Sequence, residues 1–186
     1  MKQISTKKLV LSALMAALCC IATMIIKIPT PTMGYIHPGD AFVLLSGLLL
    51  GPIWGGIAAG IGSGLSDLLS GYAVYVIPTL IIKGLVAFIF AHVYRICLKL
   101  LKDNANNIVS VIIGGIAGEL FMVLGYFLVE IFLLAFASGG SLTSATLAAG
   151  ITASAAGISF NLVQGTFGVI ICTILSPIVA KLKTID

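Results

Sequence analysis

Between Leu9 and Ile26 the chain carries no charged side chain, and the stretches 40–70, 76–98, 108–136 and 156–180 are nearly as apolar. A helix needs about 20 apolar residues to cross the ~30 Å hydrocarbon core of a bilayer. Within that core only helices and closed barrels satisfy their own backbone hydrogen bonds. Long runs without strict alternation select helices over strands. The chain therefore reads as an all-α integral membrane protein. Only 9% of its residues are charged, against roughly 25% in soluble domains.

The stretch 40–70 is long for one span and short for two, and "LLLGPIWGG" interrupts it, where Gly51 and Pro52 should end a helix. Charge decides the count. Splitting there predicts six spans, 9–26, 40–51, 53–70, 76–98, 108–136 and 156–180, in a single domain over 1–186. Eight of the ten basic residues then share one face: Lys2, Lys7, Lys8, Arg95, Lys99, Lys102, Lys181 and Lys183. The positive-inside rule makes that face cytoplasmic and places both termini there. One span across 40–70 would send Arg95, Lys99 and Lys102 outside.

Lys2, Lys7 and Lys8 before "LVLSALMAAL" imitate a secretory signal, but Leu18 before Cys19 does not suit lipoprotein cleavage, so 9–26 reads as a retained span. The basic residues are too few and scattered to track phosphates, which excludes a nucleic-acid partner. Cys19, Cys20, Cys97 and Cys172 lie in apolar runs without ligand spacing, so neither a metal site nor a disulfide framework is expected. They read as packing residues.

Several polar groups fall inside spans. Lys27 can snorkel to headgroups. Lys83 lies about seven residues into the fourth span, roughly 10 Å below the outer boundary, and needs a partner. Glu130 comes to about the same depth in the fifth span, with Glu119 and Tyr126 on its helical stripe, so Lys83 and Glu130 are expected to meet. Asn161 and Gln164, three apart on one face of the sixth span, reach a similar level. An ionisable group inside a span is a functional hypothesis by default. A structural ion pair with interhelical hydrogen bonds is the plainer alternative.

The outer loops favour a pocket. In "TPTMGYIHPGDA", Pro29, Pro31 and Pro38 fix backbone angles and bias their neighbours to extended forms, making 27–40 a stiff strap over the polar level. Tyr35 and His37 hang from it, and Asp40 either caps the second helix or faces the pocket. The next loop, "SDLLSGYAVYVIP", brings Asp67, Tyr72 and Tyr75, the tyrosines serving as a pocket wall or as an interface belt. "SGGSLTSATLAAGITASAAG" reads as a mobile lid. Aromatic rings above lysine, carboxylate and amide groups suit a flat, uncharged or zwitterionic heteroaromatic ligand. No nucleophile–base pair, phosphate loop or cofactor motif appears: "GGIAAGIGSG" has no lysine after it. The small residues Gly47, Gly51 and Gly55, Gly56, Gly60 and Gly64, and Ala13 and Ala17 recur at four-residue intervals, either for internal packing or to dock another membrane protein.

"ALMAALCC", "GYIHPGDAFVLLSGLLLGPIWGGIAAGIGSGLSDLLSGY", "PTLIIKGLVAF" and "GELFMVLGYFLVE" together cover much of the chain. In these it resembles the S components of energy-coupling factor (ECF) transporters, specifically the riboflavin-transporter-like family with its pyridoxine-type and hydroxymethylpyrimidine-type members. The resemblance implies a six-helix vitamin-capturing subunit of a bacterial plasma membrane. It implies work with one transmembrane coupling protein, docked at Ala13 and Ala17, and two cytoplasmic ATPases that supply the energy. Vitamin B6 is the expected substrate, its acidic ring hydroxyl meeting Lys83 and its nitrogen meeting Glu130 or Asp67. Hydroxymethylpyrimidine and riboflavin are the alternatives. Of the rival classes, a lipid-directed enzyme would need a cytoplasmic-side cluster where the chain offers Asp103 and lysines only, and a scaffold would use the small-residue stripes alone.

Overall fold

The computed structural model describes residues 5–101 and 108–183; Lys2, Lys102 and Asp103 lie outside the described residues, as does the side chain of Lys183. The described chain is helical apart from one small hairpin. In order it forms α1 (Thr6–Ile25), β1 (Ile28–Pro29), β2 (Tyr35–Ile36), α2 (Asp40–Leu69), a 3-10 turn (Ala73–Tyr75), α3 (Val76–Leu100), α4 (Ile108–Gly139) and α5 (Ser144–Lys183). Five of these helices are long and apolar enough to cross a membrane. Helix α2 packs against α1, α3 and α5, and α4 against α3 and α5. Val43, Leu44, Val86, Phe90 and Met122 are fully buried where α2, α3 and α4 meet.

Helix α2 is broken in the middle. Gly51 has φ 79° and ψ −177°, a conformation open to glycine and costly for other residues, and Pro52 after it removes a helical donor. The chain reverses there. Residues nine apart on an unbroken helix stand ~13 Å apart along its axis, yet Ser46 Oγ donates to the Gly55 carbonyl at 3.0 Å. A Cβ on Gly55 would lie 2.7 Å from Gly47 Cα. The segments 40–50 and 52–69 are thus two antiparallel arms, which explains why 40–70 is intermediate in length: the first arm is only about 16 Å long at 1.5 Å per residue. Its carbonyl-side end lies beside Arg95 of α3, whose guanidinium covers Gly51.

The glycine stripes pack internally. Gly47 faces Ala87 and Phe90, while Gly56 and Gly60 face Gly84 and Leu80 of α3. Their four-residue spacing lets backbones approach closely, and α3 is what approaches. Ala13 and Ala17 remain exposed on α1.

The expected lid is largely helix. Helix α5 starts at Ser144, leaving a short connection after Gly139. Thr143 and Thr146 bond each other's backbone N–H at 3.2 and 2.8 Å, closing the first turn reciprocally. Ala145, Ala148, Ala149, Ala153, Ala155 and Ala156 then supply strong helix propensity, which outweighs the glycines and serines that suggested a loop.

The strap is ordered as expected, though as a hairpin: Ile28 pairs with Ile36 and Pro29 with Tyr35. Thr30 N–H closes the turn on the Gly34 carbonyl at 2.9 Å. If the α2 arms close as described, Gly55→Leu lowers the thermal midpoint of the detergent-solubilised protein by about 3–10 °C, from an overpacking cost of about 1–3 kcal/mol. Gly125→Ala, whose added carbon meets only the Ile82 side chain, lowers it less.

Candidate functional site

A buried charge cluster underlies the site. Lys83 and Asp40 are both fully buried, with Nζ 2.5 Å from Oδ1. Lys83 also reaches Met122 Sδ at 2.8 Å and lies 5.3 Å from the centre of the Tyr126 ring. The second Asp40 oxygen accepts from Gln164 Nε2 at 2.7 Å. The arm 40–50 runs beside α3 and brings Asp40 level with Lys83. Lys83 therefore pairs with Asp40 and not, as expected from depth alone, with Glu130. Nor does Asp40 cap its helix: its carboxylate turns inward, and His37 Nδ1 accepts from Gly39 N–H at 3.1 Å instead.

Above this cluster lies a cavity of about 30 Å³ under the strap, walled by Tyr35, Tyr72, Tyr75 and Tyr126. His37, Asp67, Glu130, Asn161 and Gln164 supply its polar edge. Most of these groups are already tied. Tyr35 donates its hydroxyl to Asp67 Oδ1 at 2.8 Å; burial, then the Asp67 charge, push its phenol up and keep it protonated. Tyr75 donates to the Thr32 carbonyl at 2.6 Å. Thr32 Oγ1 donates to Glu130 Oε1 at 2.8 Å. Tyr126 and Thr79 share a hydrogen bond of 3.0 Å. Gln164 Oε1 accepts from His37 N–H at 2.9 Å, so the amide bridges strap and charge cluster.

Among the described lining groups the Asn161 amide and the Tyr72 hydroxyl are untied, and two more stand open. Glu130 Oε2 is buried and has no partner, a costly condition for a carboxyl oxygen. Burial brings the His37 imidazole down to about 3, so it is neutral, and because Nδ1 accepts from Gly39 the ring hydrogen sits on Nε2. Over the roof, Lys27 Nζ donates to Ser70 Oγ at 3.0 Å and lies 5.7 Å from the centre of the Tyr35 ring. Tyr35 in turn lies against Tyr72, with centroids 4.5 Å apart. A volume of about 30 Å³ holds about two waters. An aromatic ring enters only when the strap moves.

Of the sequence-derived site residues, Tyr35, His37, Asp67, Tyr75, Tyr126, Glu130, Asn161 and Gln164 line this cavity, while Asp40 and Lys83 lie behind it. Glu119 does not line this cavity; its side chain packs against Gly165 of α5, near the Asp40–Lys83 pair, with both carboxyl oxygens buried and without a hydrogen-bond partner. Sequence reasoning passed over Thr30, Thr32 and Thr79. Thr32 alone joins Tyr75 to Glu130, and nothing separates such a threonine from ordinary loop composition. Among the described residues no cluster of side chains suits a metal, and the four cysteines are free. On the far side, Ala13 and Ala17 line a shallow apolar groove with Trp54, Ile57 and Ile61.

Two outcomes follow from this geometry. With the folded His37 pKa at about 3 and the unfolded value near ~6.5, the unfolded chain binds the extra proton between these limits. Stability therefore falls as pH drops through that window. His37→Gln should reduce the loss of thermal midpoint between pH 7 and pH 5, read by unfolding scans. Lys83→Met leaves Asp40 buried and unpaired and should cost about 3–5 kcal/mol. Adding Asp40→Asn should recover part of it, read as coupling in a double-mutant cycle.

The model of the family described as "ECF-type riboflavin transporter, S component" matches residues 3–181 of the chain. A Pyrococcus woesei protein described as "Uncharacterized protein in gap 3'region" is 31% identical over 107 residues, 57% of this chain and 66% of that one. The match thus spans just under two thirds of that relative. The near-complete family match, on a helical chain with a polar cavity beneath a strap, means that this protein belongs to the ECF-type riboflavin transporter S-component family.

Proposed function

We propose that this protein is the substrate-capturing subunit of an ECF-type uptake transporter, binding a small heteroaromatic vitamin in the cavity beneath the strap. The observation that carries this reading is Glu130 Oε2, buried without a partner at a cavity walled by four tyrosines. Buried polar atoms are nearly always satisfied, and an incoming donor supplies what this oxygen lacks. Aromatic walls supply stacking area.

The strap and the short first arm of α2 together make one crossing and the second arm another, giving six crossings with the termini and Arg95 on the cytoplasmic side of a bacterial plasma membrane. The reversal of α2 beside Arg95 supports this, since the positive end faces the cytoplasm. The exposed Ala13 and Ala17 form part of the face that meets the transmembrane coupling protein, and ATP hydrolysis belongs to the two partner ATPases.

Riboflavin, which the family's description names, is the first candidate. Vitamin B6 loses the contact that favoured it, because Lys83 is buried on Asp40 away from the cavity. Pyridoxamine keeps second place, since Asp67 and Glu130 both line the cavity and would receive its amine.

Thermal-shift titration with riboflavin, pyridoxine, pyridoxamine and hydroxymethylpyrimidine tests the reading. A ligand that binds only the folded state adds about 2.7 kcal/mol at 100 times its Kd. One member of the panel should raise the midpoint in proportion to the logarithm of its concentration. No shift with any of them would favour a scaffold that only docks partners.

A further inference from the structure

The hydrogen-bonding groups left over in the cavity define what enters it, an inference that rests on the vitamin-capture reading. We propose that the site selects a ligand rich in N–H and O–H donors and lacking any anionic group, so that it takes the free vitamin and rejects its phosphate ester.

The inventory leans toward acceptors. The hydroxyl hydrogens of Tyr35 and Tyr75 are spent on Asp67 and the Thr32 carbonyl, so their oxygens face the cavity as acceptors. Gln164 gives its Nε2 to Asp40 and approaches Met122 Sδ at 3.5 Å. Its Oε1 holds His37 N–H and keeps a second lone pair. Asp67 keeps lone pairs beyond the Tyr35 bond, and Glu130 Oε2 is wholly open. Against these acceptors stand the Asn161 amide, the Tyr72 hydroxyl and His37 Nε2–H, while the remaining hydrogen of the Thr79–Tyr126 pair is within reach of Asp67.

Charge points the same way. Two carboxyl side chains line the cavity and, among its lining residues, there is no lysine or arginine. Lys83 is spent on Asp40 behind the floor, and Lys27 lies on Ser70 and the Tyr35 ring without lining the cavity. His37 is neutral. A phosphate monoester brings about −1.5 to −2 charges and several acceptor oxygens. It would meet other acceptors and like charge, with nothing to offset its desolvation. A protonated Glu130 would become a donor and lose its charge, but it would still bring no positive charge to offset a phosphate. Free hydroxyl, imide or ammonium groups complement the same surface.

Isothermal titration of the full-length detergent-purified protein with riboflavin against riboflavin 5′-phosphate, and pyridoxamine against pyridoxamine 5′-phosphate, tests this. Whichever parent binds, its ester should bind at least about 100-fold more weakly, as expected for several mismatched hydrogen bonds in a buried site. Glu130→Gln keeps an oxygen for Thr32 and turns an amide N–H to the open position. It should weaken the parent by about 10- to 100-fold and bring the parent-to-ester ratio below about tenfold. An ester that binds the wild-type protein as tightly as its parent overturns the proposal, and that comparison needs no variant. A ratio unchanged by Glu130→Gln overturns the part assigned to that carboxyl group. If neither parent nor any vitamin in the thermal-shift panel binds, the vitamin-capture reading itself fails and takes this proposal with it.

Discussion

A lysine ammonium and an aspartate carboxylate taken out of water have to find each other, and the Asp40–Lys83 pair is where this chain meets that requirement. Much of the site is arranged around it. Asp40 can reach Lys83 only because the first arm of α2 starts deep beside α3. Because both oxygens of Asp40 are taken, by Lys83 and Gln164, the Gln164 amide has one orientation, with its oxygen toward His37 N–H. The charge pair thereby fixes the lower end of the strap. A buried pair of this kind adds little net stability over an apolar replacement; its consequence here is geometric.

The upper end of the strap is held differently. Neutral hydroxyl bonds run from Tyr35 to Asp67, from Tyr75 to Thr32 and from Thr32 to Glu130, and Lys27 bridges to Ser70 above them. Such bonds contribute about 0.5–1.5 kcal/mol each and rather more where a charged group takes part. Admitting a ligand from the Tyr35 end would require these bonds to open while the strap stays joined to Gln164 at His37. An opening of this kind reconciles a cavity of about 30 Å³ with a heteroaromatic ligand, and it makes the roof the moving part. The end of α4 and the start of α5, where the sequence had suggested a lid, are helical.

Helical class, the common level of the polar groups and an ordered strap were legible because each rests on local composition: apolar runs, spacing along a helix, prolines. Eight of the ten substrate-site residues named from sequence line the cavity: Tyr126, Glu130, Asn161 and Gln164 through their level along a helix, and Tyr35, His37, Asp67 and Tyr75 through their place in outer loops above that level. What was not legible was pairing. Depth placed Lys83 level with Glu130, and only the reversal at Gly51 shows that Asp40 is nearer. The roles of Thr32 and Thr79 depend on contacts between distant elements and leave no trace in spacing. The glycine stripes were correctly read as close-approach surfaces, but a stripe does not say which helix approaches.

Binding beneath the strap is tested most directly by protection of a thiol placed there. Gly34 lines the cavity, and a side-chain carbon at its position would meet nothing closer than 3.5 Å. In Gly34→Cys, with the background of the four native cysteines subtracted, a saturating vitamin that raises the thermal midpoint should slow labelling by a membrane-impermeant thiol reagent by at least about tenfold, with one ligand bound per chain. Unchanged labelling in the presence of a vitamin that demonstrably binds would place the ligand elsewhere and contradict a pocket roofed by the strap.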